Sequence, residues 1–189
     1  MQLNYLNKPH FENGAIKSIS QVLEEHGIKN PLICTDPGLA NIGMSDMIRN
    51  LLSNELSPSF YEDTPANPTE QAVNDALEIY KQNGCDGVVG FGGGSSMDLA
   101  KTVALMANHE GNVVDYSVNE GGVGKINQTM PMIAIPTTSG TGSEVSLGAV
   151  IIMNDGRKLI LASDHLRPTA AICDPELTLG LPPVLTAGA

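Results

Sequence analysis

Gly87-Val88-Val89-Gly90-Phe91-Gly92-Gly93-Gly94-Ser95-Ser96-Met97-Asp98-Leu99-Ala100-Lys101 changes its periodicity halfway, across three consecutive glycines. Val88 to Phe91 is a short apolar run, too short for a helix and rich in β-branched and aromatic side chains, which reads as a buried strand. Ser96 to about Asn108 is apolar nearly all round (Met97, Leu99, Ala100, Val103, Ala104, Leu105, Met106) and reads as a helix packed deep in the molecule. Glycine lets the backbone turn sharply and lets a ligand approach with no Cβ in the way. Free N–H groups at a helix start, together with the positive end of its dipole, suit a phosphate. The junction therefore reads as a pyrophosphate cradle. A plain strand-to-helix turn with Ser95 or Ser96 as N-cap would need only one glycine or serine. The stretch is not the Walker pattern, since no Gly-Lys-Ser follows, nor G-x-G-x-x-G in proper spacing.

Upstream, residues 2–6 read as a short strand, and Asn13-Gly14 opens a helix with Ile16, Ile19, Val22 and Leu23 on one face, ending near Gly27. Pro31–Thr35 is the next strand, closed by Asp36-Pro37-Gly38. Asp36 before a proline is a good helix N-cap. It is equally a carboxylate at the carboxyl end of a strand, where α/β sheets bind ligands. A helix follows from about Leu39 or Ser45 to Leu52, then a strand around Ser59-Phe60-Tyr61. Asn67-Pro68-Thr69-Glu70 reads as a capping box with Asn67 at the N-cap, opening a helix that turns Val73, Ala76, Leu77 and Tyr80 inward and stops at Asn83-Gly84. Strands alternating with helices mean βαβ units and a mainly parallel sheet.

Downstream, Asn112 to Gln128 reads as a surface loop. Met132–Ile135 is another buried strand, running into Pro136-Thr137-Thr138-Ser139-Gly140-Thr141-Gly142-Ser143-Glu144, with five hydroxyls and two glycines in nine residues. Such residues make ordinary polar loops. At the same sheet edge as the triple glycine, they are also what a ribose–phosphate ligand needs. Val145–Met153 and Lys158–Leu161 flank Asn154-Asp155-Gly156-Arg157, a hairpin signal. Ala170–Cys173 is a last strand, and Asp174-Pro175 opens a helical turn.

A length of 189 residues suits one domain with a real core. Ten Lys+Arg against 21 Asp+Glu give a formal charge of −11, which argues against nucleic acid or an anionic membrane as partner. Cys34, Cys85 and Cys173 lack metal-ligand spacing and suggest reduced thiols in a cytoplasmic protein. The first residues show no basic and apolar leader, and no apolar run is long enough to span a bilayer.

Taken together, Gly92-Gly93-Gly94-Ser95 with Asp98 and Ala100-Lys101, the Pro136–Glu144 run, Asp36 after its strand, Asp174-Pro175, and Leu181-Pro182-Pro183 with Leu185-Thr186 resemble the iron-containing (group III) alcohol dehydrogenases. The resemblance implies a Rossmann-like domain, a mainly parallel sheet with helices on both faces plus a β-hairpin, followed by an all-helical domain that carries a divalent metal. Only the first is matched. Residues 1–189 are therefore expected to be the NAD-binding Rossmann-like domain, a fragment of a two-domain enzyme, with no catalytic or metal-binding residue of its own. The family's metal ligands, an aspartate and three histidines, have no counterpart at His10, His26, His109 or His165; the aspartate would fall just after Ala189.

Carried over by resemblance, Gly93, Gly94 and Ser95 hold the pyrophosphate, and Asp98 supports the turn or lies near the nicotinamide. Thr137, Thr138 and Thr141 contact phosphate, ribose or adenine, with Ser143 close by. Lys158 and Leu177 border the cofactor, and Asp36 takes the adenosine ribose hydroxyls. The implied cofactor is NAD(H), with iron or zinc in the full-length enzyme. The implied reaction is hydride transfer between a primary alcohol or aldehyde and nicotinamide. A homodimer through an edge strand at residues 2–6 is also implied. Two alternatives stand beside this: an isolated, non-catalytic NAD-binding module, and a relative of the glycerol-dehydrogenase or dehydroquinate-synthase type. The Thr137–Glu144 run favours the alcohol dehydrogenases.

Overall fold

A computed structural model describes residues 7–189, and the strand expected at residues 2–6 lies outside the described residues. Six strands form a parallel sheet: β1 (Lys8–Phe11), β2 (Pro31–Cys34), β3 (Ser59–Tyr61), β4 (Gly87–Gly92), β5 (Met132–Pro136) and, after a hairpin, β8 (Ala170–Cys173). Their order is β1-β8-β5-β4-β2-β3. The hairpin, β6 (Gly148–Ile152) and β7 (Lys158–Ala162), is a separate antiparallel pair.

Strands β2, β4 and β5 are buried along their whole length, which is why they read as continuous apolar runs rather than alternating ones. Their side chains still alternate between two apolar clusters. Leu32, Cys34, Val88, Met132 and Ala134 face α4 (Glu70–Gln82), α5 (Gly94–Met106) and the hairpin. Ile33, Val89, Phe91, Ile133 and Ile135 face α1 (Ile19–Glu25) and α3 (Met44–Leu51). Helices thus cover both faces of the sheet. The all-round apolar character of α5 has a simple cause: it lies between the sheet and the hairpin residues Ile151, Leu159 and Leu161. No helix among the described residues is long and apolar enough to cross a membrane.

From β2 the chain steps outward to β3, then returns past β2 to β4 and continues in that direction to β5 and β8. The direction reverses between β2 and β4. In open α/β sheets a ligand crevice lies at the carboxyl ends of the strands at such a reversal.

Several local expectations are corrected. The helix expected from residue 14 begins as a tight 3-10 turn, Ala15–Ser18. The helix placed between 39 or 45 and 52 is two helices, α2 (Pro37–Asn41) and α3, broken where Gly43 takes a φ of 81°. The N-cap of α4 is Thr69, whose hydroxyl accepts from the Ala72 N–H at 3.1 Å, and not Asn67. The reason is that Pro68 O is taken by the Ile152 N–H at 2.9 Å, which holds residues 67–69 extended against β6. The 112–128 segment is not merely a surface loop: Val113, Tyr116 and Ile126 are buried in the core beside α5.

Gly90 sets the distance between β4 and α5. A Cβ there would come within 2.9 Å of Met132 Cε and 3.0 Å of both Ala100 Cβ and the Met97 backbone. Gly90→Ala should therefore lower the unfolding free energy by about 1–3 kcal/mol through overpacking. Gly180→Ala, where a Cβ meets nothing within 4 Å, should stay within about 0.5 kcal/mol of the parent. Urea denaturation of both variants checks the contrast, and equal stabilities would rule out close packing at Gly90.

Candidate functional site at the start of helix α5

Strand β4 ends at Gly92, whose φ of 147° is open to glycine and strained for other residues. A Cβ here would also strike Ser96 Oγ at 2.5 Å and approach Asp36 Oδ2 at 3.3 Å. Gly92 is therefore the glycine that the turn itself requires. Gly93 is the N-cap of α5, and no side chain among the described residues caps this helix. Neither serine fills the role: Ser95 Oγ donates to Ala66 O at 2.5 Å, and Ser96 is buried in the first turn. The helix begins two residues earlier than its apolar pattern suggests, with first-turn amides uncapped at the carboxyl end of β4.

The facing wall comes from the end of β5. The Thr137 N–H donates to Gly92 O at 3.0 Å, tying the glycine loop and the hydroxyl-rich loop together at their roots. A Cβ on Gly93 would meet only Thr138, at 3.5 Å, so protein packing does not demand glycine there. The same Thr138 has a buried Oγ1 with no hydrogen-bond partner among the described residues. A Cβ on Gly94 would come within 3.2 Å of Thr141 Cγ2. The gap between Gly93-Gly94 and Thr138-Thr141 thus combines unused donors with an orphaned hydroxyl, and it suits an anionic group.

Asp36 fills the cap: its Oδ1 accepts from the Leu39 N–H at 3.1 Å at the start of α2, while Oδ2 lies on the side of Gly92, 3.3 Å from where a Cβ on that glycine would sit.

On the hairpin side, Gly94, Ser95, Asp98, Thr141, Ser143 and Lys158 all border one cavity of about 580 Å³. Asp36, Gly93, Thr137 and Thr138 lie beside it in the Gly92 crevice rather than on its wall. Leu177 is set apart: half-buried, it packs against the apolar cluster of the α1 face. The rest of the wall was not anticipated and includes Leu147, Val150 and Ile160. Its signal is Ile160, which shares the solvent-side alternation of β7 with Lys158 and yet is apolar.

Asp98 supports this wall. Its Oδ1 accepts from Ser143 Oγ at 2.7 Å and its Oδ2 from the Val150 N–H at 2.9 Å. Burial pushes its carboxyl above the usual carboxylate range, against the lowering effect of those two bonds. Lys158 Nζ reaches Asn67 Oδ1 at 3.3 Å. His109 has both ring nitrogens on backbone groups, Leu105 O at 2.9 Å and the Asn127 N–H at 3.0 Å. Among the described residues, no three His, Cys, Asp or Glu side chains are grouped to hold a metal ion.

An open parallel sheet, a glycine turn into an uncapped helix, and a crevice at the strand reversal define a Rossmann-like class of α/β protein. The chain belongs to the iron-containing alcohol dehydrogenase family, whose family model matches residues 7–175. It is 48% identical over 184 residues to 4-hydroxybutyrate dehydrogenase of Cupriavidus necator, covering 97% of this chain and 48% of that protein. Its fold matches sulfoacetaldehyde reductase of Bifidobacterium kashiwanohense, solved in complex with NAD+, with a TM-score of 0.87 and 32% identity over 99% of this chain and 50% of that one. It also matches NADH-dependent butanol dehydrogenase A of Thermotoga maritima, with a TM-score of 0.89 and 28% identity over 98% and 47%. The chain spans about half the length of these relatives.

The cap at Asp36 can be separated from its charge. Asp36→Ala should destabilise the chain by about 0.5–2 kcal/mol, and Asp36→Asn, which keeps a side-chain acceptor, by much less. Thermal melting of the two variants checks this. Equal losses would mean that the charge, and not the hydrogen bond to Leu39, stabilises the turn.

Proposed function

We propose that residues 1–189 are the NAD(H)-binding domain of a metal-dependent dehydrogenase that moves hydride between a primary alcohol or aldehyde and nicotinamide. The observation that carries this reading is the uncapped start of α5, placed at the strand reversal and facing the unpartnered Thr138 hydroxyl. The backbone amides of Gly94 and Ser95 would take the pyrophosphate oxygens, with the helix dipole behind them. Thr138 and Thr141 would complete the cradle from the β5 side. Asp36 Oδ2 would accept from the adenosine ribose hydroxyls and repel a 2′-phosphate. The nicotinamide half would then run into the 580 Å³ cavity, between Asp98 and Ser143 on one side and the apolar Leu147, Val150 and Ile160 on the other. When bound, NAD(H) supplies the hydride acceptor or donor; this chain orients it and keeps water from one face.

A metal would draw its ligands from outside the described residues, because they hold no suitable group of side chains. That same observation supports the second reading, an NAD-binding module without turnover of its own. In either reading this chain alone binds NAD(H) and does not oxidise short alcohols above background.

Calorimetry with NADH and NADPH tests the proposal. NADH should bind more tightly than NADPH, and Asp36→Gly should narrow that ratio. Gly94→Val should abolish binding with the circular dichroism unchanged, since its side chain would fill the cradle against Thr141. Unchanged NADH affinity in a folded Gly94→Val variant would remove this turn from the site. Alcohol-dependent NADH formation by the 189-residue chain would show that the catalytic groups lie within it.

A further inference from the structure

Lys101 is the one charged side chain in the buried apolar stretch of α5 that follows Asp98, and it is only 1% exposed. Its ammonium is not paired directly with a carboxylate. Instead Nζ donates to Ser143 Oγ at 3.2 Å, Ser146 O at 3.1 Å, Ser146 Oγ at 2.9 Å and Gly148 O at 2.9 Å. All these acceptors belong to the segment that enters β6, and Ser143, Ser146 and Gly148 also line the cavity wall. Lys101 itself does not line it. One turn earlier, Asp98 holds the same segment through Ser143 Oγ and the Val150 N–H. Ser143 links the two charges, donating to Asp98 and accepting from Lys101. We propose, on the reading that this cavity receives the nicotinamide half of NAD(H), that Lys101 is a positioning residue which fixes the 143–150 wall for that half of the ligand without touching it.

Physical considerations separate this role from plain stabilisation. A buried ammonium is costly, but removing it alone leaves buried acceptors and Asp98 without it, so Lys101→Met lowers stability in either role; only a positioning role adds a loss of affinity confined to the nicotinamide side. Burial pulls the pKa of Lys101 down to about 8, while Asp98 and then Glu144 act to hold it up. The group is therefore still charged at neutral pH. What an apolar replacement cannot do is collect two backbone carbonyls and two hydroxyls at one point. Freed of Nζ, the Ser146 carbonyl loses its donor, the Gly148 carbonyl keeps only the Ser146 Oγ at 3.3 Å, and the wall between Ser143 and Val150 loses its fixed form. The adenosine side, at Asp36 and the Gly92 crevice, is built from the ends of β2, β4 and β5 and does not depend on Lys101.

The test compares two ligands on the 189-residue chain carrying Lys101→Met, using ADP for the adenosine–pyrophosphate side and NADH for the whole. ADP affinity should stay within about twofold of the parent. NADH affinity should fall by about tenfold or more, the size expected when hydrogen bonds to a charged group are lost. The fluorescence change of bound nicotinamide should shrink with it. Equal affinities for both ligands in parent and variant would overturn the inference, as would an equal fall for both in a folded variant. Should Lys101→Met not fold, Ser146→Ala removes one Nζ acceptor and should weaken NADH but not ADP; no difference there also overturns it. A parent chain that binds neither ligand would instead overturn the dinucleotide reading on which this rests.

Discussion

The backbone amides at the start of α5 are left without a cap, and the rest of the site depends on that. Gly92 turns β4 into the helix so tightly that the N-cap position falls on Gly93, a residue with no side chain to offer. Ser95, the nearest hydroxyl that could have served, is held away by Ala66 O. The amides therefore lie at a crevice whose opposite wall carries the Thr138 hydroxyl, unpartnered among the described residues. A helix end left like this is unfavourable in isolation and becomes useful when an anion completes it.

Keeping α5 in place takes close packing on one side and a polar clamp on the other. Gly90 lets the helix backbone approach β4, and Asp98 and Lys101 fasten the hairpin segment across its outer face. The helix is thus the middle layer between sheet and hairpin, and its two charges, Asp98 and Lys101, are turned toward the segment that enters the hairpin. The cavity is the space this clamp leaves open beside the first turn.

Much of this could be read from the chain. Strands β2, β4 and β5 announce themselves because burial on both faces demands continuous β-branched and apolar residues. Asp36 shows its cap through the following proline, and both the glycine turn and the hydroxyl-rich loop follow buried strands directly. Strand β1 was hidden for the opposite reason: among the described residues it pairs with β8 alone, it contains Pro9, and it leaves Phe11 75% exposed, so no buried periodicity marks it. In the 112–128 segment, Gly122 reads as loop composition, but it lies against the Tyr116 backbone where a side chain has no room. The cavity wall at Leu147, Val150 and Ile160 depends on the hairpin folding back over α5, a long-range contact that local pattern does not report. Lys101 stands in the sequence as a charge among apolar residues, but its partners lie more than forty residues away.

The central claim, that the start of α5 is where a dinucleotide binds, is tested most directly by following backbone amide resonances of the 189-residue chain during titration with NADH. The structure predicts the largest shifts at Gly93, Gly94 and Ser95, with Thr137 to Thr141 moving in step. Shifts confined to the second cavity, around Glu70, Lys81, His109 and Asn112, with the α5 amides unmoved, would contradict it.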